Sequence, residues 1–206
     1  MRICVIAAVA MTACVALGIS GCAGSSNSGS SITSTTASAV TAESPTLPFA
    51  GAPVVENPLD TKLLETDPCS VVADAQMAVL AGSALKDSGL HKTGVTNSCT
   101  WNLVDGLGQF NASVLPGDGT GLSSYYQEHA AGGLKQFEVL APIDGYPAVV
   151  ATDNPSEGYC PLRVGLRDST TYFVVASLSS RHPHYQDPCF LATKIADLAI
   201  KRLQGN

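Results

Sequence analysis

The chain has 206 residues, 14% of them charged and 6% aromatic, with a net charge of −6 and an isoelectric point near 5.0. That length suits one domain with appendages. Lys and Arg total 11 and form no cluster, which excludes the basic footprint of a nucleic-acid binder. The mean hydropathy of +0.19 is inflated by the first twenty residues.

Residues 1–21 read as a secretory signal peptide. Arg2 gives a positive start, residues 3–19 are apolar and uncharged, and Ser20 and Gly21 are small. Ile19-Ser20-Gly21-Cys22 resembles the bacterial lipobox. The resemblance implies that Cys22 becomes the diacylglyceryl-bearing first residue of the mature chain. Each buried acyl methylene contributes about 0.8 kcal/mol, so two or three chains hold a protein on a bilayer without a polypeptide span. No later stretch is apolar enough to cross a membrane. The remainder is therefore expected at the cell membrane, on its extracytoplasmic face.

Residues 22–57 are expected to form the lipidated cysteine and a tether. Eight serines and five threonines fill residues 23–46, where Glu43 is the only charge. Such a composition buries too little apolar surface to offset chain entropy, so disorder is expected. Pro45, Pro48, Pro53 and Pro58 mark an extended lead-in.

Residues 58–206 read as one α+β domain. Asp67-Pro68-Cys69 and Asp187-Pro188-Cys189 each place a capping residue before a proline, a helix start. The first helix is expected to carry Val71, Val72, Ala75, Val79 and Leu80 inward until Gly82. The second carries Leu191, Ile195, Leu198, Ala199 and Leu203 on one stripe. Between them, strands are expected at 99–104 and 109–115 around Asp105-Gly106, and at 137–141 and 147–152 around Asp144-Gly145. A third pair is expected at 160–166 and 172–178, with a short helix at 122–131. Consecutive hairpins predict an antiparallel sheet with the terminal helices packed on one face.

Cys4 and Cys14 leave with the signal and Cys22 carries lipid, so Cys69, Cys99, Cys160 and Cys189 remain. An even number in an exported domain predicts two disulfides, for which three pairings exist. Sequential pairing is expected, because each bridge then ties a helix start to a strand. A four-cysteine metal site lacks the Cys-x-x-Cys spacing it needs.

The lipobox and tether, the two Asp-Pro-Cys starts, Cys99-Thr100-Trp101, Asp144-Gly145-Tyr146-Pro147-Ala148 and Tyr159-Cys160 occur in a characteristic order. Together they resemble an uncharacterised family of actinobacterial lipoproteins classed as a domain of unknown function. A weaker likeness is to the cystine-bridged extracellular sensor domains of actinobacterial receptor kinases. The first resemblance implies surface location and paired cysteines, and brings no catalytic residues.

Candidate chemistry is sparse. His182 and His184, two residues apart, are weak metal-ligand candidates set against a plain solvated loop. Gly117-Asp118-Gly119-Thr120-Gly121 lacks the Lys-Ser/Thr of a P-loop and reads as a flexible strand-to-helix connection. Tyr125-Tyr126 is expected to put one ring in and one out, and Trp101 to anchor the core. No nucleophile elbow or metalloprotease motif occurs, and no cofactor is expected. The reading is a lipid-anchored binding or sensor module, with an envelope lipid, glycan or protein as ligand and no nucleic-acid partner. The alternatives are a metal-dependent envelope enzyme using His182 and His184, or a structural surface lipoprotein. Metabolic labelling with a tagged fatty acid should mark the wild-type chain, and Cys22→Ala should abolish the label.

Overall fold

The computed structural model describes residues 45–115 and 119–205. The signal segment, Cys22, residues 22–44 of the tether, and Gly117 with Asp118 lie outside the described residues.

Alternation of apolar and polar side chains builds the sheet as expected. Seven strands run β1 (Leu85–Lys92), β2 (Asn97–Leu103), β3 (Gly108–Leu115), β4 (Gln136–Ile143), β5 (Tyr146–Thr152), β6 (Tyr159–Arg167) and β7 (Thr170–Leu178). Their order in one sheet is β1-β2-β3-β7-β6-β5-β4, every pair antiparallel. β1 was not among the expected strands. It is an edge strand of Lys, Asp, Ser, Gly and His with a register shift between Leu85 and Asp87, so its alternation is broken where it would be read.

Helix α4 (Pro188–Gln204) carries Leu191, Ala192, Ile195, Ala196, Ala199 and Ile200 fully buried against β6 and β7. Leu198 and Leu203 are only partly buried, so the stripe lies one residue round from the expected one. Gly205, at φ +84°, ends the helix in a left-handed cap. The Asp187 side chain makes no cap hydrogen bond, contrary to its expected role.

The first helical start is a correction. Residues Pro68–Ser70 form a single 3-10 turn, and Asp67 likewise makes no side-chain cap bond. Val71 and Val72 are both buried there. Extended Ala73 then opens a separate helix α2 (Asp74–Ala81), with the Ala73 N–H donating to Gln76 Oε1 at 3.0 Å. The bridge from Cys69 to β2 and the buried valine pair hold this segment on the sheet, where a continuous helix would lift one of them off. A further short helix, α1 (Lys62–Thr66), precedes it and buries Leu64.

The core lies on the face shared by β2, β3, β7 and β6 with α2 and α4. Trp101, Phe110, Tyr172, Leu162 and Met77 are fully buried in it. Both disulfides sit on this face, Cys69–Cys99 with Cα atoms 4.9 Å apart and Cys160–Cys189 at 5.1 Å. Sequential pairing is therefore the one the chain adopts. The opposite face is covered only over β4 to β6, by helix α3 (Ser123–Ala130) with Leu122, Tyr125 and Tyr126 on Val149 and Ala151.

The lead-in packs on the domain upstream of residue 58. The Phe49 N–H donates to Ser123 Oγ at 3.0 Å, and the Val55 N–H to Asp168 Oδ1 at 2.8 Å. Arg167 Nε donates to the Leu59 carbonyl at 2.7 Å, so residues at the β6–β7 turn hold this lead-in at two points. Gly121, at φ +57°, lies against the Asp168 carbonyl where a Cβ would collide with backbone. The glycine-rich connection is thus a packing contact at that point rather than a free loop.

A chain-entropy estimate gives each bridge about 3–4 kcal/mol for separations of 30 and 29 residues. The double replacement Cys69→Ser with Cys99→Ser should lower the unfolding free energy by that amount in a denaturant titration, and Cys160→Ser with Cys189→Ser should do the same.

Candidate functional site

On the face away from the core, strand pleating sets out a polar row. Asp87, Asn102, Gln109, Ser177 and Tyr159 stand in register across β1, β2, β3, β7 and β6. The next row holds Gly89, Thr100, Asn111, Val175 and Pro161. Side-chain bonds tie two neighbouring pairs within these rows. Asn102 Nδ2 donates to Asp87 Oδ1 at 2.5 Å, and Asn111 Nδ2 to Thr100 Oγ1 at 2.9 Å.

One end of the polar row opens into a concavity of about 550 Å³. Lys86, Asn102, Gln109, Ser177, Glu157 and Tyr159 line it. Gly158, at φ +71°, forms part of its wall, because the chain there runs against the Leu178 carbonyl and the Tyr185 ring and leaves no room for a Cβ. The chemistry on offer is amide, hydroxyl and phenol, with one cation and one carboxylate at the rim. It suits a hydroxyl-rich ligand better than an apolar one.

Arg163 borders the same face. Its Cζ lies 3.4 Å from the Phe173 ring centroid and 4.9 Å from that of Tyr125. Tyr126 packs edge-on against Phe137, with centroids 5.0 Å apart. Both tyrosines therefore face the sheet, which corrects the one-in, one-out expectation. A residue pair one step apart on a helix straddles a stripe, and here the stripe is wide enough to hold both. Trp101 is a core anchor, as expected.

The histidine pair is spent on structure. His182 is 3% exposed. Its Nε2 lies 3.2 Å from the Ala81 carbonyl at the end of α2, and its Nδ1 accepts the His184 N–H at 3.0 Å. With Nε2 donating to Ala81, neither ring nitrogen presents a lone pair outward. His184 stacks on Phe190, with centroids 4.9 Å apart. Among the described residues, no three His, Cys, Asp or Glu side chains converge as a metal site would need. Ser123, near Glu128 and His129 in sequence, is fully buried and accepts the Phe49 amide, while His129 stacks on Phe137. No catalytic constellation forms from them.

A second concavity, of about 490 Å³, is an open apolar groove lined by Ala75, Gln76, Val79, Leu80 and Leu198. It is a surface between α2 and α4 and not an enclosed cavity.

The sequence reading missed Asn102, Gln109, Ser177, Tyr159 and Arg163 as a group, since they come from four strands and share no local motif. The polar half of the alternation in β2 and β3 was the available signal. Residues 17–202 match a family model described as a protein of unknown function, DUF3558. The chain belongs to the DUF3558 family. No curated protein and no solved structure gives a significant match. In this DUF3558 chain the family match takes in Cys22 and all four disulfide cysteines.

Burial pushes the His182 pKa down, the bond to the Ala81 carbonyl opposes this, and the His184 charge adds to the lowering. Protonation at Nδ1 would also set a second donor against the His184 N–H. The folded state thus binds fewer protons than the unfolded state between the folded pKa and the unfolded value of about 6.5. The stability contributed is complete above about pH 6.5 and is lost as pH falls through that window. His182→Ala should cost about 1–3 kcal/mol at pH 7.5. In denaturant titrations the gap to wild type should narrow at pH 5.

Proposed function

We propose that this chain is a lipid-anchored binding module on the extracytoplasmic face of the cell membrane, and that its polar concavity receives an envelope glycan. The five-strand row from Asp87 to Tyr159 and the concavity of about 550 Å³ at its end carry this reading. A lipid would need an enclosed apolar cavity, and this concavity is open, with Leu103 and Leu178 set among polar groups. A protein partner would be expected to anchor on large apolar side chains, and the row from Asp87 to Tyr159 is mostly amide and hydroxyl. Tyr159 supplies a ring edge and a hydroxyl, while Asn102, Gln109 and Ser177 supply donors and acceptors spaced by the sheet.

Two paired cystines support placement outside the cytoplasm, because such bridges persist where the surroundings are oxidising. The lipobox at Cys22 supports the anchor, and the order of motifs supports kinship with actinobacterial surface lipoproteins. A sensor role differs from simple binding only in what the occupied domain then touches.

Calorimetric titration of the full-length protein in detergent with soluble envelope polysaccharide fragments should give saturable binding. Gln109→Ala and Tyr159→Ala should each weaken it about threefold to tenfold, the worth of one neutral hydrogen bond. Val79→Ser, in the apolar groove, should leave it unchanged. Loss of binding in Val79→Ser with none in Gln109→Ala would move the site to the α2–α4 groove.

A further inference from the structure

Arg163 is held in a way that packing alone does not explain. It stands on β6 in register with Phe173 of β7 and Val149 of β5, its guanidinium against the Phe173 ring and under Tyr125 of α3. Nε and Nη1, which carry three N–H donors between them, are buried and meet no acceptor. The ion pairs among the described residues are Lys86–Asp87 and Lys201–Asp197, so no carboxylate lies within ion-pair distance of it, and Glu128 of α3 acts on it only from further off. Burial pulls its pKa below the usual arginine range; Tyr125 acts against that through its charge and a side-chain hydrogen bond, as do the charges of Tyr159 and Glu128, which leaves Nε and Nη1 as the unpaired nitrogens. A guanidinium nevertheless stays charged in proteins.

Buried donors left unpaired cost about 1–3 kcal/mol, and more for a charged group. The other unpartnered buried atoms differ in kind. Trp101 Nε1 and Tyr172 Oη belong to fully buried side chains of the core, which no ligand meets, and Ser179 Oγ is a single neutral hydroxyl in the lining of the concavity. Arg163 points from the opposite face, is only partly buried, and lies on the strand whose Tyr159, two pleats away, lines the concavity. A leucine or methionine would fill the space between Phe173 and Tyr125 at no electrostatic cost.

We propose that Arg163 binds the carboxylate of an acidic saccharide whose neutral ring lies along the polar row beside it. The inference rests on the glycan reading of the concavity and names its ligand class. A carboxylate is planar and singly charged, and a lone guanidinium, also planar, matches both properties. A phosphate group ordinarily draws several cations, and this corner holds one. The stacked rings fix the guanidinium plane, so the ligand orders no flexible side chain on arrival.

The test titrates the full-length protein in detergent with cellobiouronate and with its neutral counterpart, cellobiose. Wild type should prefer the uronate about tenfold, the worth of one charge-assisted pair. Arg163→Met should abolish the preference. Because that variant could fold poorly, the nitrogen resonance of the Arg163 side chain is followed in the wild-type protein, where the uronate should shift it and cellobiose should not. Equal affinity for the two sugars, a preference that survives Arg163→Met, or an unmoved resonance overturns the role of Arg163 alone. Binding of neither sugar overturns the glycan reading itself. Arg163-dependent binding of an acidic peptide, or of inorganic phosphate, in place of the uronate overturns the saccharide assignment.

Discussion

Two cystines clamp segments outside the sheet onto the strands that flank its central pair. Cys99 lies on β2 beside β3, and Cys160 on β6 beside β7, while β3 and β7 pair with each other at the centre. Each strand cysteine faces an alanine across the ladder, Ala112 for Cys99 and Ala176 for Cys160. A small neighbour leaves space for the sulfur and the incoming chain, so the two bridges share one local solution. The bridges close loops with sequence separations of 30 and 29 residues, one in the first half of the domain and one in the second. With the thiols free, the 3-10 turn at Pro68–Ser70 and the start of α4 would be held by packing alone.

That clamp decides which face of the sheet is interior. Both cysteines lie at core-face positions of their strands, so Trp101 and Leu103 on β2, and Leu162 and Val164 on β6, are carried inward with them. Their neighbours Thr100, Asn102, Pro161 and Arg163 must then point the other way. α3 and the lead-in cover that second face only over β4, β5 and β6. The uncovered part, over β1 to β3 and β7, is where Asn, Gln, Ser and Thr concentrate. The polar wall and the disulfides are thus two consequences of one register.

This explains what was legible in the chain and what was not. Six strands, the α4 helix, the antiparallel class and the cystine pairing follow from period-two alternation, turn residues and the count of cysteines, all local signals. The expected ends of those strands differ from the observed ones by at most two residues. β1 escaped because an exposed edge strand with a bulge carries little alternation. The break at Val71 to Ala73 escaped because helical spacing was present, and the tertiary demand of burying both valines overrode it. His182 drew notice as a ligand candidate through its neighbour His184. Its actual partner, the Ala81 carbonyl, lies 101 residues away and leaves no trace in sequence. Arg163 drew none, since a single arginine in a strand becomes notable only once Phe173 and Tyr125 are seen against it.

Building a recognition surface on strands rather than loops has an energetic consequence. Loop-borne sites lose about 0.5–1.5 kcal/mol for each long side chain immobilised on binding. Here Asn102 and Asn111 are already tied to Asp87 and Thr100, and the Arg163 guanidinium is fixed against Phe173. For the proposed ligand, these groups would need little further ordering, which favours affinity from a few polar contacts. The same rigidity limits what the site accepts. The spacing of donors along the row is set by the strand separation of about 4.8 Å, close to the repeat of a saccharide ring, and it cannot adjust to a ligand of different pitch. On the proposed reading, such a surface would select by spacing first and by charge second, and the guanidinium of Arg163 would discriminate among ligands that already fit.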